Sequence, residues 1–216
     1  MTTLQPRARL RGETGAVITE AAIVGPLFFL LLFLIMEGGL LFRNYLSVTS
    51  ASRDGALGGA AAENDSPGLS DYTILRSVGR MASALPTGTV EKVVVFKGDR
   101  TLGVDSPVPS LCLTAPTGLP GQCNVYGPAD LARSKTEFAT LPSAQQWRSA
   151  DRDDNAGCLA YGPNDLAGTD FLGVYVVTTH NGITGFFGTS RPVTSRSVVR
   201  LEPKESVAGA SNPTCS

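Results

Sequence analysis

The stretch AAIVGPLFFLLLFLIMEGGLLF, Ala21 to Phe42, decides how the rest of the chain is read. Within it only Glu37 carries a charge. As an α-helix rising about 1.5 Å per residue, this stretch spans roughly 33 Å, enough to cross a bilayer core of about 30 Å. Pro26 removes one backbone donor and can kink such a helix, which membrane-spanning helices tolerate. Glu37 falls near the far end, where a carboxylate can reach the interface or a polar group of a partner.

Upstream lies MTTLQPRARLRGETG, with Arg7, Arg9 and Arg11 and almost no apolar content. Downstream, Arg43 and Arg53 fall within the window that sets topology, so the arginines favour a cytoplasmic N-terminus only weakly. A secretory signal peptide fits poorly. Its apolar region would run about 7–15 residues with a small-residue cleavage site after it. Here the apolar run is longer, and the small residue, Gly15, precedes it. The chain therefore divides into a basic leader (1–15), a membrane-spanning and extended helix (16–63) and a folded domain (64–216).

Composition narrows the function. The net charge is −1 and charged residues make up 17% of the chain, against roughly a quarter in a soluble domain. Nucleic acid is excluded as a partner, because phosphate binding needs a concentrated excess of Lys and Arg. Cys112, Cys123, Cys158 and Cys215 all lie in the C-terminal part. An even number there predicts two disulfides and an oxidising, extracytoplasmic compartment, with three pairings open to the sequence. The expected pairs are Cys112–Cys123, closing the loop LTAPTGLPGQ, and Cys158–Cys215, pinning the C-terminal tail. The alternative is four reduced, buried thiols.

From Arg43 to Ala62 the helix is expected to continue beyond the membrane. Tyr45, Leu46, Thr49, Ser52 and Ala56 recur near a 3.6-residue period. Ala, Gly and Ser dominate, so helices of neighbouring subunits could approach closely. Gly55, Gly58 and Gly59 each weaken an isolated helix by up to about 1 kcal/mol, which calls for support from packing against other subunits. A flexible Gly/Ala linker is the alternative.

The domain reads as α+β. Leu69 to Leu85 forms an amphipathic helix with Ile74, Leu75, Val78, Met81, Ala82 and Leu85 on one face, capped by Ser70 or Asp71 and ended by Pro86. Three strand-like runs follow: Val90 to Phe96, Leu172 to His180 and Val193 to Leu201. One helix on a small antiparallel sheet is the economical arrangement. The Pro- and Gly-rich insertion from Gly98 to Asp170 needs stapling, with Phe138 and Trp147 as its core anchors.

Signatures of catalysis are missing: the sequence has no nucleophile elbow, phosphate loop or HExxH, so no enzyme and no cofactor is expected. His180, the only histidine, reads as a strand residue. With no C-x-x-C pair, a zinc site is not expected. Asp151, Asp153 and Asn155 occupy the first three ligand positions of an EF-hand loop, but Ala156 and Gly162 stand where its glycine and bidentate glutamate belong. A solvated acidic loop is the plainer reading.

Residues 12 to 56 resemble the TadE-like family of minor pilins, components of the tight-adherence pilus machinery. The resemblance rests on Gly15-Ala-Val-Ile-Thr-Glu20, Pro26 six residues after the glutamate, the Glu37-Gly38 step and Ala51-Ser-Arg-Asp-Gly-Ala56. It implies cleavage by a membrane prepilin peptidase between Gly15 and Ala16, which makes Glu20 the fifth residue of the mature chain. It further implies assembly with other pilin or pseudopilin subunits through the N-terminal helix, with Glu20, Pro26 and Glu37 at the contacts. An inner-membrane anchor, with the C-terminal domain outside and the whole subunit able to enter a surface pilus, follows from the same likeness. An uncleaved single-pass membrane protein displaying a binding or adhesion domain is the alternative.

Overall fold

The computed structural model describes residues 13–62, 69–83, 85, 88–152, 169–185 and 188–202. Helix α1 runs unbroken from Glu13 to Ala61 and passes through Pro26. From Val17 to Met36 it is exposed on every side, Gly25 alone being partly covered, and it is long and apolar enough to cross a membrane. At Glu37 the packing changes. Glu37, Asn44, Val48, Ala51, Ser52, Gly55, Ala56, Gly59 and Ala60 are buried, recurring at the helical period so that they form one stripe.

The stripe explains the small residues. Gly59 lies against Ile74 and Leu172 so closely that a Cβ there would stand 2.5 Å from the Ile74 side chain and 2.9 Å from Leu172. Gly55 meets Ile74 and Val78, and Gly58 meets Thr73 and Ser77. The glycines expected to admit a neighbouring subunit thus admit the chain's own second helix, α2 (Leu69–Ala82). Ile74, Leu75 and Val78 fill the seam as the periodicity predicts. Ser70 and Asp71, read from sequence as helix caps, are fully buried; the Ser70 hydroxyl donates to the Gly59 carbonyl.

Both helices lie on one face of a five-stranded antiparallel sheet, where three strands were expected. Its strands are β1 (Gly88–Gly98), β2 (Gly118–Leu119), β3 (Cys123–Tyr126), β4 (Phe171–Asn181) and β5 (Ser190–Arg200), in the order β2-β3-β1-β4-β5. The long central pair is in register from Val93↔Val176 to Gly98↔Phe171, and β4 pairs with β5 from Phe171↔Arg200 to Asn181↔Ser190. Pro192 is tolerated because β5 is an edge strand. The insertion supplies the two extra strands and two short helices, α3 (Ser110–Thr114) and α4 (Lys135–Phe138).

Strand alternation sorts the core into two layers. Val93, Val95, Leu172, Val174 and Val176 face α1 and α2, joined there by Phe138 and Trp147 as core anchors. Val94, Phe96, Val125 and Val198 face the other way, onto Cys112 and Cys123. Those two cysteines form a disulfide that fastens α3 to β3, a cross-link worth about 2–4 kcal/mol. Gly173 is required on this second face, since a Cβ there would stand 2.2 to 2.5 Å from atoms of the Phe96 ring. Cys158 and Cys215 lie outside the described residues.

Candidate assembly segment and its junction with the domain

The residues singled out at the start of α1 share one property, openness. Gly15 sits within the first turns of the helix with nothing near the place a Cβ would take, and the Thr19 hydroxyl donates to its carbonyl at 3.2 Å. Glu20 is exposed one turn later and has no hydrogen-bond or ion-pair partner among the described residues. Pro26 leaves the Ala22 carbonyl without its usual i+4 donor, and the helix continues regardless. A carboxylate flanked by apolar residues and met by no described group of its own chain is costly in lipid until another group meets it.

Glu37 is the opposite case. It is 1% exposed, covered by the loop that joins β4 to β5. The Thr184 amide donates to its Oε2 at 3.3 Å, and Gly182 approaches so closely that a Cβ there would stand 2.6 Å from Oε1. The glutamate assigned to subunit contacts is therefore enclosed by its own chain, 147 residues away in sequence. Higher on α1, Asn44 Nδ2 donates to Nδ1 of His180 across 2.6 Å, so the lone histidine is a buried strand residue with a polar partner. Ser52 pairs with Ser195 at 3.0 Å, and the Glu202 amide reaches the Ala60 carbonyl.

Two buried ionic centres lie within the domain, and sequence reading missed both. Asp71 accepts from Arg152, from the Tyr126 hydroxyl at 2.6 Å and from Asn124, while Arg152 also donates to Ser70 and the Trp147 carbonyl and lies over the Trp147 ring, 4.4 Å from its centre. Burial, and then the Asp71 carboxylate, hold the Tyr126 phenol well above its ordinary range. The second centre is Asp170, fully buried, which receives Lys97 on one oxygen and Arg100 on the other, each at 2.9 Å. These are structural pairs, tying insertion to helix and strand.

Asp151, the first of the candidate calcium ligands, has both oxygens engaged by Arg148, at 2.6 and 2.7 Å, and that guanidinium holds its carboxyl below the usual range. Asp153 and Asn155 lie outside the described residues. Among the described residues no group of three or more His, Cys, Asp and Glu could hold a metal.

Residues 15–57 match the family model of TadE-like proteins, a span that starts at the candidate cleavage glycine and ends within α1, before the folded domain begins. No curated protein and no solved structure matches the chain. The segment that carries the likeness is thus the helix alone: residues 15–57 are TadE-like, which points to a component related to pilus assembly, carried on a single apolar N-terminal helix.

Proposed function

We propose that the chain is a structural subunit, a minor pilin or pseudopilin of a tight-adherence-type pilus or of the machinery that builds it. In this reading the basic leader stays in the cytoplasm and α1 crosses the inner membrane. A prepilin peptidase cuts between Gly15 and Ala16, and the disulfide-bonded domain stands outside. The observation that carries it is the division of α1. The TadE-like match begins at Gly15, and the helix that follows is bare from Val17 to Met36, with Glu20 met by no described group of its own chain. A mature chain beginning at Ala16 offers what the carboxylate lacks, since the free amino terminus of a neighbouring subunit carries the opposite charge, as does the positive end of a helix dipole.

The test is the mass of the chain extracted from membranes of the native host. A species beginning at Ala16 is expected, and Gly15 replaced by a bulky residue should leave the precursor uncut with membrane insertion intact. A major species retaining Met1 to Gly15 would replace this reading with that of an uncleaved anchor displaying a binding domain.

A further inference from the structure

The β4–β5 hairpin descends along α1 toward the bare half of the helix. The contacts order themselves: Glu202 meets Ala60, Ser195 meets Ser52, His180 meets Asn44, and Thr184 meets Glu37. The end of the hairpin therefore lies beside a residue that belongs to the apolar stretch Ala21–Phe42, six helical positions short of Arg43. Six positions are about 9 Å along the axis, so the Gly182–Gly185 end stands at the depth of the membrane boundary when α1 crosses the bilayer.

Its chemistry suits that depth. The described residues of that end, Gly182–Gly185, carry no charge, and Ile183 among them is large and apolar. Ile183 is 60% exposed, although its neighbours Gly182 and Thr184 are pressed against Glu37. Two amides at the end are satisfied locally, Gly182 N donating to the Thr189 carbonyl and Gly188 N to that of Gly185, which lowers the cost of taking those groups out of water. One step farther from the membrane the chemistry reverses. Arg191 is exposed and pairs in register with His180, which touches Asn44, and exposed Arg43 adjoins Asn44. Ile183 below and arginines above reproduce the order of the interface, where cationic side chains reach the headgroups.

We infer that the Gly182–Gly185 end of the β4–β5 hairpin is a second membrane contact, seated in the interfacial layer with Ile183 against lipid and Arg43 and Arg191 at the phosphates. The contact rests on α1 spanning the bilayer. It also accounts for Glu37, since the hairpin covers a carboxylate that would otherwise face lipid. The domain is thereby fixed against the membrane surface at two points, the helix and the hairpin.

The test uses the full chain reconstituted in phosphatidylcholine–phosphatidylglycerol vesicles, with and without brominated acyl chains, which quench tryptophan in contact with lipid. Trp147, the sole native tryptophan, is buried in the domain and serves as the unquenched background. Ile183→Trp should add emission that brominated lipid removes, as Leu30→Trp does from within the bare helix. If Leu30→Trp is quenched and Ile183→Trp is not, the hairpin contact is wrong while the anchor stands. If neither is quenched, the anchor fails and the hairpin contact with it. Emission from Ile183→Trp that is shifted to the blue, resists brominated lipid and depends on protein density assigns the hairpin to a second copy of the chain, and overturns the lipid contact. Arg43→Gln with Arg191→Gln should weaken the response of the Ile183→Trp emission to added phosphatidylglycerol; an unchanged response removes the phosphates from the account.

Discussion

Val17–Met36 and Glu37–Ala61 are two halves of one unbroken helix under opposite packing conditions. The first half is built of large apolar side chains and is exposed among the described residues; the second is rich in Gly, Ala and Ser and is covered by the domain along one stripe. Small residues along a helix are commonly a surface for another helix. Here that surface is already occupied, by Ile74 and Leu172 over Gly59 and by Thr73 and Ser77 over Gly58. What stays open is the bare half with its glutamate and, on the outer face of the second half, Phe42, Tyr45, Leu46 and Leu57. The two acidic residues of the apolar region divide the same way, Glu20 open and Glu37 enclosed.

The enclosed half depends on the domain being locked beside it, and the Asp71–Arg152 pair is the lock whose loss should cost most. Asp71→Ala leaves a fully buried guanidinium without its counter-ion, a change that costs about 3–5 kcal/mol, a large share of a net stability of about 5–15 kcal/mol. Denaturant unfolding in detergent micelles, followed by Trp147 beside Arg152, should show the midpoint falling steeply. The helical signal of the membrane half should persist. A native midpoint would mean that the pair is dispensable and that the two halves differ less than their packing implies.

Next in size is a paired substitution on α1 itself. Gly59→Val drives two methyl groups into Ile74 and Leu172 and should destabilise the domain by about 1–3 kcal/mol. Gly25→Val, in the bare half, where nothing lies within 4 Å of the added Cβ, should leave the same midpoint unmoved. Equal effects at both glycines would erase the distinction between the halves. If Gly59→Val also blocked assembly while the domain kept its stability, the small-residue stripe would return as a subunit surface.

Sequence reading went furthest where periodicity runs long. The apolar run, the face of α2 with Ile74, Leu75 and Val78, and the strands of β1, β4 and β5 all announce themselves over many residues, and the Cys112–Cys123 loop closes over a short span. It missed β2 and β3 because two and four residues, set among Gly and Pro, are too short for an alternation to show. Asp71 resembles a helix cap because its partners Tyr126 and Arg152 stand 55 and 81 residues away. Glu37 resembles a subunit contact for the same reason. Long-range polar pairing leaves no local mark, whereas the glycines do leave one; only the identity of the neighbour they admit was hidden.

A smaller effect tests whether the support of the enclosed half is polar as well as apolar. Burial and the Asp71 carboxylate hold the Tyr126 phenol well above its ordinary range, whereas an unfolded tyrosine ionises near pH 10. The phenol's contribution is therefore fully present below about pH 10 and is lost as pH rises beyond it, because the unfolded chain then releases a proton that the folded chain keeps. Tyr126→Phe should cost about 1–2 kcal/mol at neutral pH through the lost hydrogen bond to a charged group. The gap between native and variant should narrow above pH 10. A gap constant with pH would place the hydroxyl outside the network.

The smallest effect on the fold should come from Glu20→Ala, and there the consequence for assembly should be largest. Glu20 is exposed on the bare half, and no described group of its own chain meets its carboxylate. The substitution makes the segment more apolar, so insertion cannot weaken, and the nearest packed residue of α1 is more than four turns away at Glu37. Domain stability, read by Trp147, should be that of the native chain. What disappears is the one charged group in the bare half that a neighbour's amino terminus could meet. Recovery of the variant with partner subunits, by cross-linking in membranes and in sheared surface filaments, should fall well below native at equal membrane content. Native recovery would show that the apolar surface of Val17–Met36 suffices for assembly, and that the open and enclosed glutamates differ in packing but not in use.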